Sequence, residues 1–247
     1  MRFEGKVLLA TGAGSGIAAA TARRFAREGG RVAVLDLSAE RAQAVADELD
    51  GSVAIACDVA DEAAVTAAVA DAHARLGRID CVLNAAGIAD FGPLADWSLE
   101  RFNRMLQIHV GGMFLVCRSA VPLMRGGAIV NVASIAAITA QPFNAPYGAA
   151  KSAIAGYTRQ LALEVGPEIR VNAVAPGRIR TGMTEPLYVE RGGGDYQAGA
   201  RLAGEHNIFK RVAEPEEIAG PVCFLFSDDA SFLTGQTITV DGGETIL

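Results

Sequence analysis

Short, almost unbroken apolar runs recur along the chain, with amphipathic stretches between them. VLLA (7–10), RVAVLD (31–36), SVAIACD (52–58), CVLNAAG (81–87), GAIVNVAS (127–134), RVNAVAPG (170–177) and TITVDGG (237–243) each read as a buried strand closed by turn-forming residues. A strand with one wet face alternates apolar and polar residues. These runs do not, so both faces of each strand are expected to be covered. The stretches between them carry a helical period. ATARRFAREGG ends in a glycine pair, and DEAAVTAAVADAHARLG sets Ala64, Val65, Ala67, Ala68 and Val69 in a stripe with Asp61 placed to cap its start. Strands alternating with helices predict an α/β fold: a doubly wound, parallel, seven-stranded sheet with helices on both faces. No Pro/Ser-rich linker breaks the series, so residues 1–247 read as one domain. The longest segment without a strand signal, 182–212, is expected to be a substrate lid, made mobile by the glycines at 192–194.

Composition narrows the possibilities. The chain is 51% hydrophobic and 20% charged with a net charge of −6, which supports a large core and gives no electrostatic reason to seek nucleic acid or anionic membrane. No charged side chain appears between Arg125 and Lys151, a stretch long enough to span a bilayer. It contains Asn131, Gln141, Pro142, Asn144 and Pro146, which would strand polar groups in lipid, so it reads as strand, loop and helix. The apolar run at the N-terminus is too short for a signal peptide. The four cysteines, Cys57, Cys81, Cys117 and Cys223, lack metal or dithiol spacing and read as buried apolar groups in a reducing compartment. A soluble, cytoplasmic protein without a metal is expected.

A glycine cluster, TGAGSGIA (11–18), follows the first strand and precedes a helix. In that position glycines permit a tight turn, bring a diphosphate to the backbone and aim the helix N-terminus at its charge. The second strand ends in Asp36, about twenty residues further on, where an acid binds both hydroxyls of an adenosine ribose. A carboxylate there would repel the 2′-phosphate of NADP, and no Arg or Lys replaces it in LDLSAE, so NAD is the expected cofactor with Asp36 and Leu37 at its adenosine end. Tyr147 and Lys151 lie one helical turn apart on one face. A free tyrosine, with a pKa of about 10, is a poor base at neutral pH, and a neighbouring ammonium favours the phenolate. Ser134 ends a buried strand, where sites of open α/β sheets gather, and its hydroxyl can bond the oxygen that a tyrosine protonates or deprotonates.

With these residues assembled, the chain resembles the short-chain dehydrogenase/reductase family, in its compact single-domain branch, over essentially its whole length. The resemblance is carried by TGAGSGIA (11–18), CDV (57–59), NAAG (84–87), Ser134, the Tyr147/Lys151 pair, APGRIRT (175–181) and TGQTITVDGG (234–243). It implies a Rossmann-type fold and an NAD-dependent oxidoreductase acting on a secondary alcohol or ketone. It also implies roles. Tyr147 would be the general acid or base, Ser134 would stabilise the reacting oxygen, and Lys151 would hold the nicotinamide ribose and lower the tyrosine pKa. Gly12, Ser15, Gly16 and Ile17 would line the diphosphate turn, while Asp58 and Val59 would flank the adenine. Asn84, Ala85, Ala86 and Gly87 would form the floor, and Pro176, Gly177, Ile179 and Thr181 would hold the nicotinamide end.

Two positions depart from the family pattern. Ala18 replaces the last glycine of the turn, which the dinucleotide fingerprint tolerates. By register, His109 stands where the family carries an asparagine that holds a water in a proton relay. A neutral imidazole can donate one hydrogen bond and accept another, so the relay is expected to survive, with a pH dependence reflecting His109. Two other functions stay open: an NADPH-dependent 3-oxoacyl-thioester reductase and a catalytically silent NAD-binding protein. The expected substrate walls are Asp90, Phe91, Ala136, Gln141, Phe143 and Asn144, with Met183, Leu187 and Tyr188 in the lid. These are mostly apolar, although Arg178 and Arg180 could attract an anionic group. By family analogy the protein is expected to be a homotetramer.

Overall fold

The computed structural model describes residues 1–247. The strands are β1 (Val7–Thr11), β2 (Arg31–Asp36), β3 (Val53–Ala56), β4 (Cys81–Asn84), β5 (Gly127–Val132), β6 (Ile169–Pro176) and β7 (Thr237–Val240). They form one seven-stranded sheet in the order β3-β2-β1-β4-β5-β6-β7, with every pairing parallel. The helices are α1 (Gly16–Arg27), α2 (Ala39–Ala46), α3 (Glu62–Leu76), α4 (Leu99–Leu106), α5 (Gly112–Ala120), α6 (Ala145–Val165), α7 (Glu185–Arg191), α8 (Tyr196–Gly204) and α9 (Pro215–Phe226).

The unbroken apolar runs follow from two cores, one on each face of the sheet. Val7 and Leu9 of β1, Ala33 and Leu35 of β2, and Val171, Ala173 and Ala175 of β6 enter one core with side chains of α3, α5 and α6. Leu8 and Ala10, Val32 and Val34, and Val174 enter the other, closed by α1, α2 and α9. Each fully buried Leu, Val or Ile contributes about 1.5–3 kcal/mol relative to exposure. Both faces are covered, so polar residues are few in the strands and alternation disappears from the sequence. Helix ends are set locally: the Asp61 carboxylate accepts from the Ala64 N–H (3.0 Å) at the start of α3, and the Ser38 hydroxyl from the Arg41 N–H (3.2 Å) at the start of α2.

Two segments go beyond the sequence pattern. Helical structure from Leu99 to Leu123 is long and apolar enough to cross a membrane by length and composition. In the fold its Met105, Met113, Val116, Cys117 and Ala120 are buried against the molecule. One π-turn, Gln107–Gly111, joins α4 to α5 in its middle. The segment 182–212 contains a pair of short helices, α7 and α8, packed together. Its glycines meet a steric demand, because Gly193 and Gly194 have φ of 64° and 101°, and Gly192 abuts the backbone of Asp195 and Gly199.

Candidate active site

β1 and β4 are neighbours in the sheet, but the chain leaves them toward opposite edges, which opens a crevice at their C-terminal ends. The crevice is a cleft of about 1130 Å³. Its floor is made by close backbone approach. Gly12, at φ 64°, lies so near the turn after β4 that an added Cβ would stand 2.9 Å from the Ala86 Cα. Thr11, unremarked in the sequence, fixes that turn: its hydroxyl donates to the Leu83 carbonyl (3.3 Å) and accepts from the N–H groups of Ala85 (3.1 Å) and Ala86 (3.3 Å). Ser15 occupies the N-cap position of α1 without bonding to the helix, and no acid sits in the first turn. Gly16, Ile17 and Ala18 line the cleft there, so the positive end of the helix is presented to any anion that enters.

The cleft gathers most of the residues expected at a cofactor. Gly12, Ser15, Gly16, Ile17, Asp36, Leu37, Asp58, Val59, Ala85, Ala86, Gly87, Tyr147, Lys151, Pro176, Gly177, Ile179 and Thr181 all line it. Asn84 does not, a correction to the expected floor. Its amide donates to Asn131 Oδ1 (2.8 Å), whose own amide donates to the Thr158 hydroxyl (2.9 Å), so Asn84 belongs to a buried network behind the floor. At the far end, Asp36 accepts from the N–H groups of Gly14 (3.0 Å) and Ser38 (3.0 Å) and from the Arg41 guanidinium (2.8 Å). Arg41 was missed in the sequence because it stands in α2, beyond the LDLSAE turn. The adenosine, diphosphate and nicotinamide portions of a dinucleotide thus each meet a suitable group: a carboxylate, a helix N-terminus above glycines, and a lysine with a tyrosine.

At the nicotinamide end, Ser134, Tyr147, Lys151 and His109 share one wall. Ser134 follows β5, and its hydroxyl accepts from the Ala136 N–H (3.2 Å). Tyr147 lies in the first turns of α6. Lys151 is 5% exposed, donates to the Val132 carbonyl (2.8 Å), and holds its Nζ 5.5 Å from the Tyr147 ring centroid. Burial pushes the Lys151 pKa down to about 7 and pushes the Tyr147 phenol up to about 12, the latter opposed by hydrogen bonding to Ser134. The expected lowering of the tyrosine by the lysine is not seen in this structure, where burial dominates and holds the phenol protonated.

His109 is placed by the π-turn, with its ring edge-on to Tyr147 at 5.5 Å. Its Nε2 lies 2.9 Å from the Ile88 carbonyl and 3.1 Å from the Ile88 N–H, while Nδ1 is buried without a partner. Gly87 is required here, since any Cβ would overlap the His109 ring. Burial first, then the charge of Lys151, drives the His109 pKa down to about 3, against the hydrogen bond to Ile88. The imidazole is neutral throughout the physiological range. The expected pH dependence from His109 is therefore corrected.

The expected substrate walls divide. Met183 lines the main cleft. Ala136, Gln141, Phe143 and Asn144 instead line a separate pocket of about 400 Å³ with Gly92, Pro93 and Leu94. The short helical turn Ile135–Ala137 carries the chain away after Ser134, and Phe143, at φ 59°, accepts the Gly92 N–H through its carbonyl (3.0 Å). Tyr188 is buried with its hydroxyl 3.5 Å from the Ile179 carbonyl, and Leu187 beside it lines neither pocket. Asp90 is held by the Arg101 guanidinium, with Nε at 2.6 Å, and Phe91 packs edge-on to Tyr147 at 5.7 Å. Arg178 and Arg180 are paired with Glu244 (2.9 Å) and Glu214 (2.8 Å), so the charge of each is offset by a neighbouring carboxylate. All four cysteines are unpaired and buried, and burial raises each thiol, Cys57 to about 11. No cluster of three or more His, Cys, Asp or Glu side chains is arranged to hold a metal ion.

Such a crevice, with a glycine-cradled helix N-terminus at one end and a Ser–Tyr–Lys wall at the other, is built as a nicotinamide-dinucleotide site. A family model described as Enoyl-(Acyl carrier protein) reductase matches residues 12–245. The chain is 40% identical to D-threitol dehydrogenase of Mycolicibacterium smegmatis, over 99% of this chain and 95% of that one. It is 38% identical to meso-2,3-butanediol dehydrogenase of Serratia marcescens, over 99% and 96%. The solved structure of an NAD+-bound xylitol dehydrogenase superposes with a TM-score of 0.91 at 36% identity, covering 98% of this chain and 100% of that one. The chain belongs to the short-chain dehydrogenase/reductase family.

Proposed function

We propose that this protein is an NAD-dependent dehydrogenase of secondary alcohols, of the diol or polyol class. The observation that carries the reading is the convergence of Ser134, Tyr147 and Lys151 at one end of a dinucleotide-sized cleft whose other end is closed by Asp36. Oxidation of such an alcohol removes a hydride from carbon, which a bound nicotinamide accepts, and a proton from oxygen, which the protein must take. Tyr147 takes that proton, and returns it when a ketone is reduced. Ser134 stabilises the same oxygen through its hydroxyl. Lys151 holds the ribose beneath the ring and favours the phenolate when it is charged. His109 holds the backbone at Ile88 and serves as a neutral acceptor at Nδ1, so it takes part in a relay by hydrogen bonding rather than by titrating. Asp36 reads the ribose hydroxyls and supports NAD as the preferred cofactor. The printed names of the threitol, butanediol and xylitol enzymes support a substrate with neighbouring hydroxyl groups.

The test is reduction of NAD and NADP, followed at 340 nm, against vicinal diols, sugar alcohols, cyclic alcohols and hydroxy acids, with Tyr147→Phe beside the wild type. NAD turnover with diols that vanishes in the variant is expected. Binding of NADH without turnover of any alcohol or ketone would replace this reading with that of a silent binding protein. A second reading, thioester reduction, is favoured by the description of the matching family model. Oxidation of NADPH by an acetoacetyl thioester faster than by any ketone would establish it. The proposal extends to a cytoplasmic homotetramer. Unpaired buried cysteines support the compartment, and the exposed apolar side chains Leu99 (73%), Phe114 (41%) and Leu163 (84%) support further subunit contacts. Sedimentation at a monomer mass would remove the tetramer.

A further inference from the structure

We propose that Arg178 and Glu244 are positioning residues, whose ion pair makes the turn after β7 a brace behind the loop that seats the nicotinamide. The proposal rests on the dinucleotide reading above. It concerns the stretch after β6, where Pro176, Gly177, Ile179 and Thr181 line the cleft and Arg178 does not. β6 lies beside β5 in the sheet, and the Ala133 N–H, just ahead of Ser134, donates to the Val174 carbonyl (2.8 Å). The stretch therefore borders the reacting end of the cleft rather than the adenosine end.

Arg178 instead reaches Glu244. Its Nη2 donates to Oε1 (2.9 Å) and its Nε to Oε2 (3.1 Å). A two-pronged contact of this kind fixes orientation as well as distance, which a lysine at this place would not do. The two side chains are only 15% and 11% exposed, so water screens the pair little. The neighbouring pair, Arg180 with Glu214, is 54% and 45% exposed and belongs to the class of surface ion pairs that contribute little.

Glu244 is itself held in place. The Asp241 carboxylate accepts from the N–H groups of Gly243 (2.9 Å) and Thr245 (2.8 Å), which folds the chain back directly after β7. The Gly242 carbonyl accepts from the Ile208 N–H (2.9 Å). Turn and loop also touch through backbone: the Gly177 N–H donates to the Val240 carbonyl (3.0 Å), and a Cβ on Gly177 would stand 2.8 Å from the Asp241 Cα. On its other side the loop is bonded to Ala213, by the Arg180 N–H (2.8 Å) and to the Arg178 carbonyl (2.9 Å). Breaking the ion pair leaves these backbone bonds in place, so the loop stays folded but loses its side-chain tie to the turn. Hydride transfer is sensitive to such a change, since a misplacement of about 1 Å can cost about 10²-fold in rate.

Two ligands separate the ends of the cleft. ADP-ribose carries the adenosine and the diphosphate without a nicotinamide, and NADH carries all three. Both are titrated into the full chain, with melting curves to confirm that each variant is folded. Glu244→Gln and Arg178→Met should each weaken NADH about tenfold, the loss of a charge-assisted pair, and leave ADP-ribose affinity unchanged. Arg178→Lys, which keeps the charge, should lie between these and the wild type. In turnover of a diol with NAD, kcat should fall in the same order. The isotope effect for a diol deuterated at the carbinol carbon should rise, because hydride transfer then limits the rate. Equal weakening of both ligands would make the pair structural only and overturn the proposal. So would an NADH affinity and an isotope effect that stay at wild-type values in folded variants. The ratio of the two affinities decides the matter whichever alcohol is the substrate. If the wild type binds neither ligand, the dinucleotide reading falls first and this proposal with it.

Discussion

Tyr147 has two unlike surroundings. Beneath it, each polar group is tied to the sheet or to a fixed turn: Lys151 to the Val132 carbonyl, Asn84 to Asn131, and His109 to Ile88. Above and beside it, the contacts come from connecting segments, with Phe91 on its edge, Met183 at the cleft and Phe143 turned outward at 64% exposure. The first region has no freedom to change without unburying a polar atom, at about 1–3 kcal/mol each. The second consists of apolar side chains on loops, where substitutions cost little. The two regions differ in how much change they tolerate, and that difference can be broken at either side.

The largest effect is expected at the boundary itself. Tyr147→Phe keeps the ring packing and removes only the hydroxyl, so kcat should fall by about 10²–10⁴-fold, the usual contribution of a positioned acid or base, with the melting temperature nearly unchanged. Gly87→Ala attacks the rigid side by driving a methyl into the His109 ring. Overpacking of this kind costs about 1–3 kcal/mol, and adding His109→Ala should recover most of it, as a double-mutant cycle of melting curves would reveal.

Smaller effects come from the buried titrating groups. Lys151 has a native pKa of about 7 against an ordinary 10.5, so the unfolded chain binds more protons between those values and stability should rise with pH through that window. Lys151→Met, inactive in turnover, should therefore melt higher than the wild type near neutral pH, with the difference fading toward pH 10.5. His109 has the same sign at lower pH: the unfolded chain binds more protons between about 3 and 6.5, so stability is lost as pH falls through that range. His109→Asn should flatten the acid limb of the stability curve in that range while leaving the pH profile of kcat/KM near neutrality unmoved. On the loop side, Phe91→Ala should change KM for bulky alcohols several-fold with little change in kcat or stability. A large loss of stability there would end the distinction between the two regions.

The sheet, its strands and the cleft residues were legible because they obey local rules. Continuous apolar runs mark strands covered on both faces, and a glycine turn between strand and helix has few other uses. What escaped the sequence depended on contacts between distant or differently phased segments. Arg41 reaches Asp36 from the next helix, outside the turn where a basic residue was sought. Thr11 was read only as the first residue of the glycine turn, although its hydroxyl sets the turn after β4. Asn84 was taken for cofactor floor because its neighbours are, yet its side chain points into a network completed by Asn131 and Thr158. Ala136 and Asn144 flank the serine and tyrosine in sequence but fall behind them in space, since nothing in the residue types announces the reversal at Phe143.

The π-turn at Gln107–Gly111 makes chain length a determinant of the site. It accommodates one residue more than an α-helical turn, so the helix on either side presents faces that an unbroken helix would set about 100° apart. A single-residue deletion between 107 and 111 would leave composition and helicity almost intact. It would also swing His109 away from Ile88 and from the edge of Tyr147. Among descendants of this chain, gaps in that short stretch would be rarer than substitutions, and a lineage that acquired one would be expected to have changed its chemistry.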